Sequence, residues 1–222
     1  MVSERIKAIL GTLPQGVQLC AVSKYHPAEM IQEAYDAGQR IFGESHVQEL
    51  VVKHEALPKD VEWHFIGHLQ TNKVKYMASF VSLIHSVDSL KLLKEINKQA
   101  LKAGRVIDVL LQLHVAAEET KFGLTQHEVV EMLESDDFIA LKNVRVVGLM
   151  AMATNTEDEE QVAMEFESVR QFYHVLKDGY FSGKPEFKEI SMGMSGDYLI
   201  AQKYESTLVR VGSSIFGERI YE

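Results

Sequence analysis

The chain has 222 residues, 46% of them hydrophobic, which suits one domain with a large buried core and is too apolar for a disordered chain. Lys and Arg number 23 against 32 Asp and Glu, a formal charge of −9. An acidic surface repels phosphate backbones, so a nucleic-acid partner is not expected, although a locally positive pocket remains open to small anions. Cys20 is the single cysteine, which excludes an internal disulfide and a cysteine-based zinc site.

The first residues, Met1 to Lys7, carry charges where a signal peptide needs an apolar stretch. The longest apolar run, Val106 to Ala117, is interrupted by Asp108, Gln112 and His114. It falls short of the ~20 residues that span a bilayer. A cytoplasmic protein with no membrane partner is the expectation.

In chain order, a helix over Ser3–Leu10 precedes a β-like run over Val17–Ser23, which ends against Lys24. Pro27 sits where a first-turn proline is tolerated. Further β-like runs cover Arg40–Gly43, Glu62–Ile66, Val81–Val87, Ile107–Val115, Val144–Met150, Phe187–Ser191 and Leu208–Gly212. Helical spacing fills the intervals; Val162, Phe166, Val169, Tyr173 and Leu176 recur at steps of three and four. Ser45 with Gln48, Thr125 with Glu128 and Thr156 with Glu159 have capping-box spacing.

Strands alternating with helices imply parallel pairing, because each crossover returns the chain to the same edge. Eight such units close into a (β/α)8 TIM barrel, and no Gly-rich dinucleotide fingerprint follows the first strand to favour an open doubly wound sheet. One domain over residues 1–222 is expected.

Barrel sites gather at the C-terminal ends of the strands, with phosphate often held after strands seven and eight. Lys24 would present its amine to that mouth, where desolvation frees it to condense with an aldehyde. Ser191–Asp197 and Arg210–Ser214 follow the last two strands. Their glycines admit an anion to the backbone, while their hydroxyls and helix-terminal amides donate to it. Lysine and cradle together point to a phosphorylated aldehyde, either pyridoxal 5′-phosphate (PLP) or a sugar-phosphate aldolase intermediate. His64 and His68 do not share a helix face, which argues against a metal pair; His85 and His114, in strands, are expected as packed interior or mouth residues. Met150, Met152, Met192 and Met194 are candidates to line the mouth.

Several blocks resemble the pyridoxal phosphate homeostasis proteins, single-domain relatives of the alanine racemase barrel. They are Ala21-Val22-Ser23-Lys24, Phe42-Gly43-Glu44, His64 to Lys73, Gly148-Leu149-Met150, Ser191 to Asp197, and Val209 to Gly217. The resemblance implies a barrel of PLP fold type III with an extra N-terminal helix and no second domain. It implies that Lys24 forms the Schiff base, that Ser195, Gly212 and Ser213 hold the phosphate, and that Arg210 faces the pyridine nitrogen. An arginine there gives up no proton, which makes PLP a poorer electron sink.

The chain departs from the family at Tyr25-His26, Ser45-His46 and Leu113 to Ala117, all expected at strand ends facing the mouth. With the chain ending soon after the eighth unit, no β-domain is expected to supply a racemase's second acid/base. The implied function is a monomeric PLP carrier in intracellular homeostasis, without turnover, serving PLP-dependent recipient enzymes. The alternative is a weak amino-acid racemase drawing on Tyr25, His26, His46 or His114.

Overall fold

The computed structural model describes residues 1–118 and 122–217. Helix α1 (Val2–Leu10) comes first, then β1 (Gln18–Val22), α2 (Ala28–Asp36), β2 (Ile41–Glu44), α3 (Val47–Ala56) and β3 (Glu62–Phe65). A 3₁₀ segment over Thr71–Tyr76 leads to β4 (Leu83–Val87), α4 (Leu90–Lys102), β5 (Ile107–Leu113), α5 (Gln126–Glu134) and α6 (Asp136–Ile139). The last units are β6 (Val144–Ala151), α7 (Glu159–Asp178), β7 (Glu189–Ser191), α8 (Tyr198–Ala201), β8 (Leu208–Val211) and α9 (Ser213–Phe216). The eight strands run parallel in sequence order, and β8 pairs with β1 to close the barrel.

Two cores follow from the pleat, which sends alternate side chains to opposite faces of the sheet. Cys20, Ile41, Leu83, Leu110, Val147, Met150 and Leu208 point inward and fill the barrel. Their strand neighbours Leu19, Ala21, Phe42, Trp63, Ile84, Val109, Leu111 and Val209 point outward and pack under the helices. Each large side chain so buried contributes about 1.5–3 kcal/mol. Val162, Phe166, Val169, Tyr173 and Leu176 form the buried stripe of α7. None of the helices among the described residues is long and apolar enough to cross a membrane.

Local details differ from expectation. The third crossover is the 3₁₀ segment rather than a full α-helix, and β4 and β7 begin two residues late. Thr125 and Glu128 form a reciprocal capping box, but Ser45 and Thr156 do not cap. Helix α3 starts after His46 without a side-chain cap, one residue later than the Ser45–Gln48 spacing requires. Ahead of α7 the nearer carboxylate wins: Asp158 accepts from the amides of Glu160 and Gln161, while the Thr156 hydroxyl accepts from the Asp158 amide at 3.1 Å. Pro27 stands one place before the first turn, as the N-cap of α2.

The reassigned cap makes a direct expectation. Asp158→Ala should destabilise the protein by about 1 kcal/mol and Thr156→Ala by appreciably less, measured by urea denaturation; equal losses would restore Thr156 as the cap.

Candidate functional site

At the C-terminal ends of the strands lies a cavity of about 260 Å³. Its wall takes Val22 and Lys24 from the end of β1, Ser45 and Ile66 from beyond β2 and β3, Met152 from beyond β6, and Met194, Ser195 and Gly196 from beyond β7. Arg210 lines it from inside β8, with Gly212 and Ser213 just past that strand. Lys24, Ser195, Arg210, Gly212 and Ser213 therefore share one pocket, although Ser195 and Lys24 are 171 positions apart in the chain.

The loops are shaped for close approach. Gly193 holds φ +95°, and a Cβ on it would come within 2.9 Å of the Tyr198 Cα. At Gly212 a Cβ would stand 3.0 Å from the Val22 carbonyl oxygen, so only glycine lets β8 leave the barrel this close to β1. The Gly212 amide reaches the Ser195 hydroxyl at 3.4 Å, linking the two loops. Ser213 opens α9, whose first N–H groups have no acceptor within the helix.

Arg210 is buried. Its Nη1 donates to the Ser191 carbonyl at 2.8 Å and the Ser191 hydroxyl at 2.6 Å, and its Nη2 donates to the Ala151 carbonyl at 3.0 Å. None of these partners carries a charge. Burial pulls the guanidinium down to about 10, yet it stays protonated at neutral pH. Cys20, its register partner on β1, cannot offset the charge, because burial pushes its thiol up to about 12. Three of the five N–H donors are thus committed. Two N–H groups have no partner among these bonds, and the charge, offset only through space by Asp197, borders the pocket that Arg210 lines, an arrangement able to donate to an anion or a basic ring nitrogen.

The turn that carries Lys24 is braced from behind. Lys53 on α3 donates to the Ser23 carbonyl at 2.8 Å, to Glu44 Oε1 at 2.7 Å and to Glu49 Oε1 at 2.5 Å. The Ser23 hydroxyl donates to Glu44 Oε1 at 2.6 Å, and the Tyr25 amide donates to Glu49 Oε1 at 2.7 Å. Tyr25 itself sits at φ 66°, a left-handed conformation that a non-glycine residue holds only when its surroundings enforce it. Burial raises Glu44 to about 7, against the opposing pull of Lys53. This brace was not anticipated from sequence; the Phe42-Gly43-Glu44 block marked Glu44, but nothing local linked it to Lys53.

Of the departures from the family pattern, His26 and Ser45 line the pocket. Tyr25 instead borders a separate cavity between α2 and α3, and His46 tilts against the Tyr25 ring at 5.2 Å. His114 turns to the Glu118 carbonyl and faces a groove beside α5 and α7. Met152 and Met194 line the pocket, whereas Met150 fills the barrel and Met192 the outer core. His64 meets His85 inside the barrel, and His68 stacks on Phe122 and pairs with Asp88 at 3.2 Å.

Residues 2–220 match the family model described as the alanine racemase N-terminal domain. The pyridoxal phosphate homeostasis protein of Aquifex aeolicus is 43% identical over 205 residues, covering 92% of this chain and 88% of that protein. Its Escherichia coli K12 counterpart is 37% identical over 215 residues, covering 95% and 89%. Structures of PipY from Synechococcus elongatus, 35% identical and covering 98% of this chain and all of theirs, superpose with TM-scores of 0.91 without PLP and 0.88 with PLP bound. Alanine racemase from Clostridium difficile, at 12% identity and a TM-score of 0.78, covers all of this chain and 60% of its own, and shares the fold.

The brace predicts a pH dependence. Glu44 is raised from 4.5 to about 7 on folding, so its contribution is complete below the unfolded value and is lost as pH rises through 7. Glu44→Gln has no such loss. Relative to this variant, the parent should weaken by on the order of 2 kcal/mol between pH 5 and pH 8.5, read from urea denaturation at both values; a constant difference would show Glu44 ionised throughout.

Proposed function

The chain belongs to the alanine racemase N-terminal domain family, among its pyridoxal phosphate homeostasis proteins, and from that premise we propose that it holds PLP as a Schiff base on Lys24 and stores it without turning over a substrate. The observation that carries this reading is the meeting of a half-buried lysine, a Ser/Gly cradle and a buried guanidinium with no carboxylate among its hydrogen-bond partners in one pocket.

The residues present fit the group. Ser195 and Ser213 donate hydroxyls to the phosphate, and Gly212 brings backbone within reach of it. Val22, Ile66 and Met152 give the flat ring an apolar wall. Arg210 turns its uncommitted N–H groups to the ring nitrogen. When bound, PLP supplies an aldehyde that condenses reversibly with an amine and a ring that withdraws electrons. Arg210 only donates, so the ring nitrogen stays unprotonated and electron withdrawal is weak. That restraint suits a store better than a catalyst.

Turnover of the racemase kind needs an acid/base on each face of a substrate carbon. Lys24 serves one face. Of Tyr25, His26, His46 and His114, only His26 lines the pocket, which favours the carrier over the racemase. We take residues 1–222 as one PLP-binding domain working as a monomer in the cytoplasm, with PLP-dependent enzymes as its recipients.

The purified protein loaded with PLP should be yellow, and borohydride should bleach the band while fixing the cofactor on Lys24, located by peptide mapping. Lys24→Ala should lose the band; retained absorbance would move the anchor to another lysine. Incubated with single-enantiomer amino acids in deuterated buffer, the loaded protein should exchange no faster than free PLP. Faster exchange would replace the carrier with a weak racemase, and a colourless protein that borohydride traps only with a sugar phosphate would replace both with an aldolase.

A further inference from the structure

Inside the barrel, Arg210 is the last member of a hydrogen-bonded chain. Its Nη1 lies 2.6 Å from the Ser191 hydroxyl, which lies 2.9 Å from His85 Nδ1, and His85 Nε2 lies 3.0 Å from His64 Nδ1. All four residues are buried, with Ser191 and His85 fully so. They come from β3, β4, β7 and β8 and point inward. At its other end His64 lines a cavity of about 660 Å³ at the opposite mouth of the barrel, among Glu62, Asp108, Glu186 and Glu189. The chain therefore crosses the barrel from one mouth to the other.

Proton counting fixes its direction. Arginine only donates, so the Ser191 oxygen accepts from Arg210 and its own proton goes to His85 Nδ1. His85 then carries its proton on Nε2 and donates to His64 Nδ1, leaving the His64 proton on Nε2. Reversing both rings would strand the buried Ser191 proton without an acceptor, at a cost, and would set a bare nitrogen lone pair where carboxylates already line the cavity. Burial keeps His64 down to about 3 and His85 well below the ordinary imidazole range, so both rings stay neutral.

We propose that His85, backed by His64, is a positioning residue for the cofactor: by taking the Ser191 proton it makes that hydroxyl a fixed acceptor, which aims the remaining Arg210 donors at the pocket. The role of Arg210 toward PLP rests on the function proposed above; the direction of the chain does not. Neither histidine touches the ligand pocket, and their effect is exerted through Ser191.

Two measurements test it. In the ligand-free protein labelled with ¹⁵N-histidine, His64 and His85 should both give the neutral pattern with the proton on Nε2 at pH 7; a proton on His85 Nδ1 would overturn the proposal. In PLP titrations, His85→Leu should raise the dissociation constant about tenfold and displace the visible band. His85→Asn should stay within about threefold of the parent, because its carboxamide oxygen stands as many bonds from Cα as the imidazole Nδ1. A leucine variant that binds like the parent, or an asparagine variant as weak as leucine, would overturn it. Should the leucine variant fail to fold by circular dichroism, the asparagine variant and the ¹⁵N pattern still decide. A parent that binds no PLP would remove the carrier reading and with it the role of His85 toward the cofactor, while the ¹⁵N pattern, read without ligand, would still decide the direction of the chain.

Discussion

Pairing of β8 with β1 brings the two ends of the chain's sheet into register, with Gln18 opposite Leu208, Cys20 opposite Arg210 and Ala21 opposite Val211. In an open sheet at about 4.8 Å per strand these edges would stand roughly 30 Å apart. Closed, the residues that follow β1 and those that follow β8 become neighbours, so Lys24 and the Gly212–Ser213 turn face one cavity. The strands between them supply floor and walls. Gly212 is the local condition for this seam, since any side chain there meets the Val22 carbonyl.

Closure also decides where polarity is tolerated. The barrel interior is mostly aliphatic, yet it contains a guanidinium, two imidazoles and a hydroxyl in one connected chain. An isolated buried charge is costly, and a connected network lowers that cost only when each member is satisfied. Here the imidazoles remain neutral, and the hydrogen bonds form one set that starts from the Arg210 donor and runs through Ser191 and His85 to His64. The Arg210 charge is left without a carboxylate partner among its hydrogen bonds, which is an arrangement suited to an anionic ligand. A second polar cluster behind the Lys24 turn works differently. Two carboxylates share the Lys53 ammonium, so the strained Tyr25 backbone is held by charge as well as by packing.

The alternation of β-like and amphipathic runs was legible because the two periods, 2 and 3.6, are written in the apolar residues themselves. The stripe of α7 and the capping box at Thr125 needed only nearby positions. The motifs at Ser45 and Thr156 do not cap: α3 begins one residue further on, and ahead of α7 a closer carboxylate, Asp158, takes the amides. His46 and His114 were misplaced for a related reason: lying near a strand end does not say which way a side chain turns once helices pack around it.

By itself the amino-acid order determined the number and parallel sense of the strands, the mouth where the candidate residues gather and the family whose blocks it carries, since these depend on short-range periodicity and contiguous motifs. Only the tertiary structure decided that His64 meets His85 rather than His68, that Lys53 reaches Glu44 and the Ser23 carbonyl, and that Arg210 has donors to spare. Those contacts join residues from different strands and helices, and the distances between them exist only after the barrel has closed.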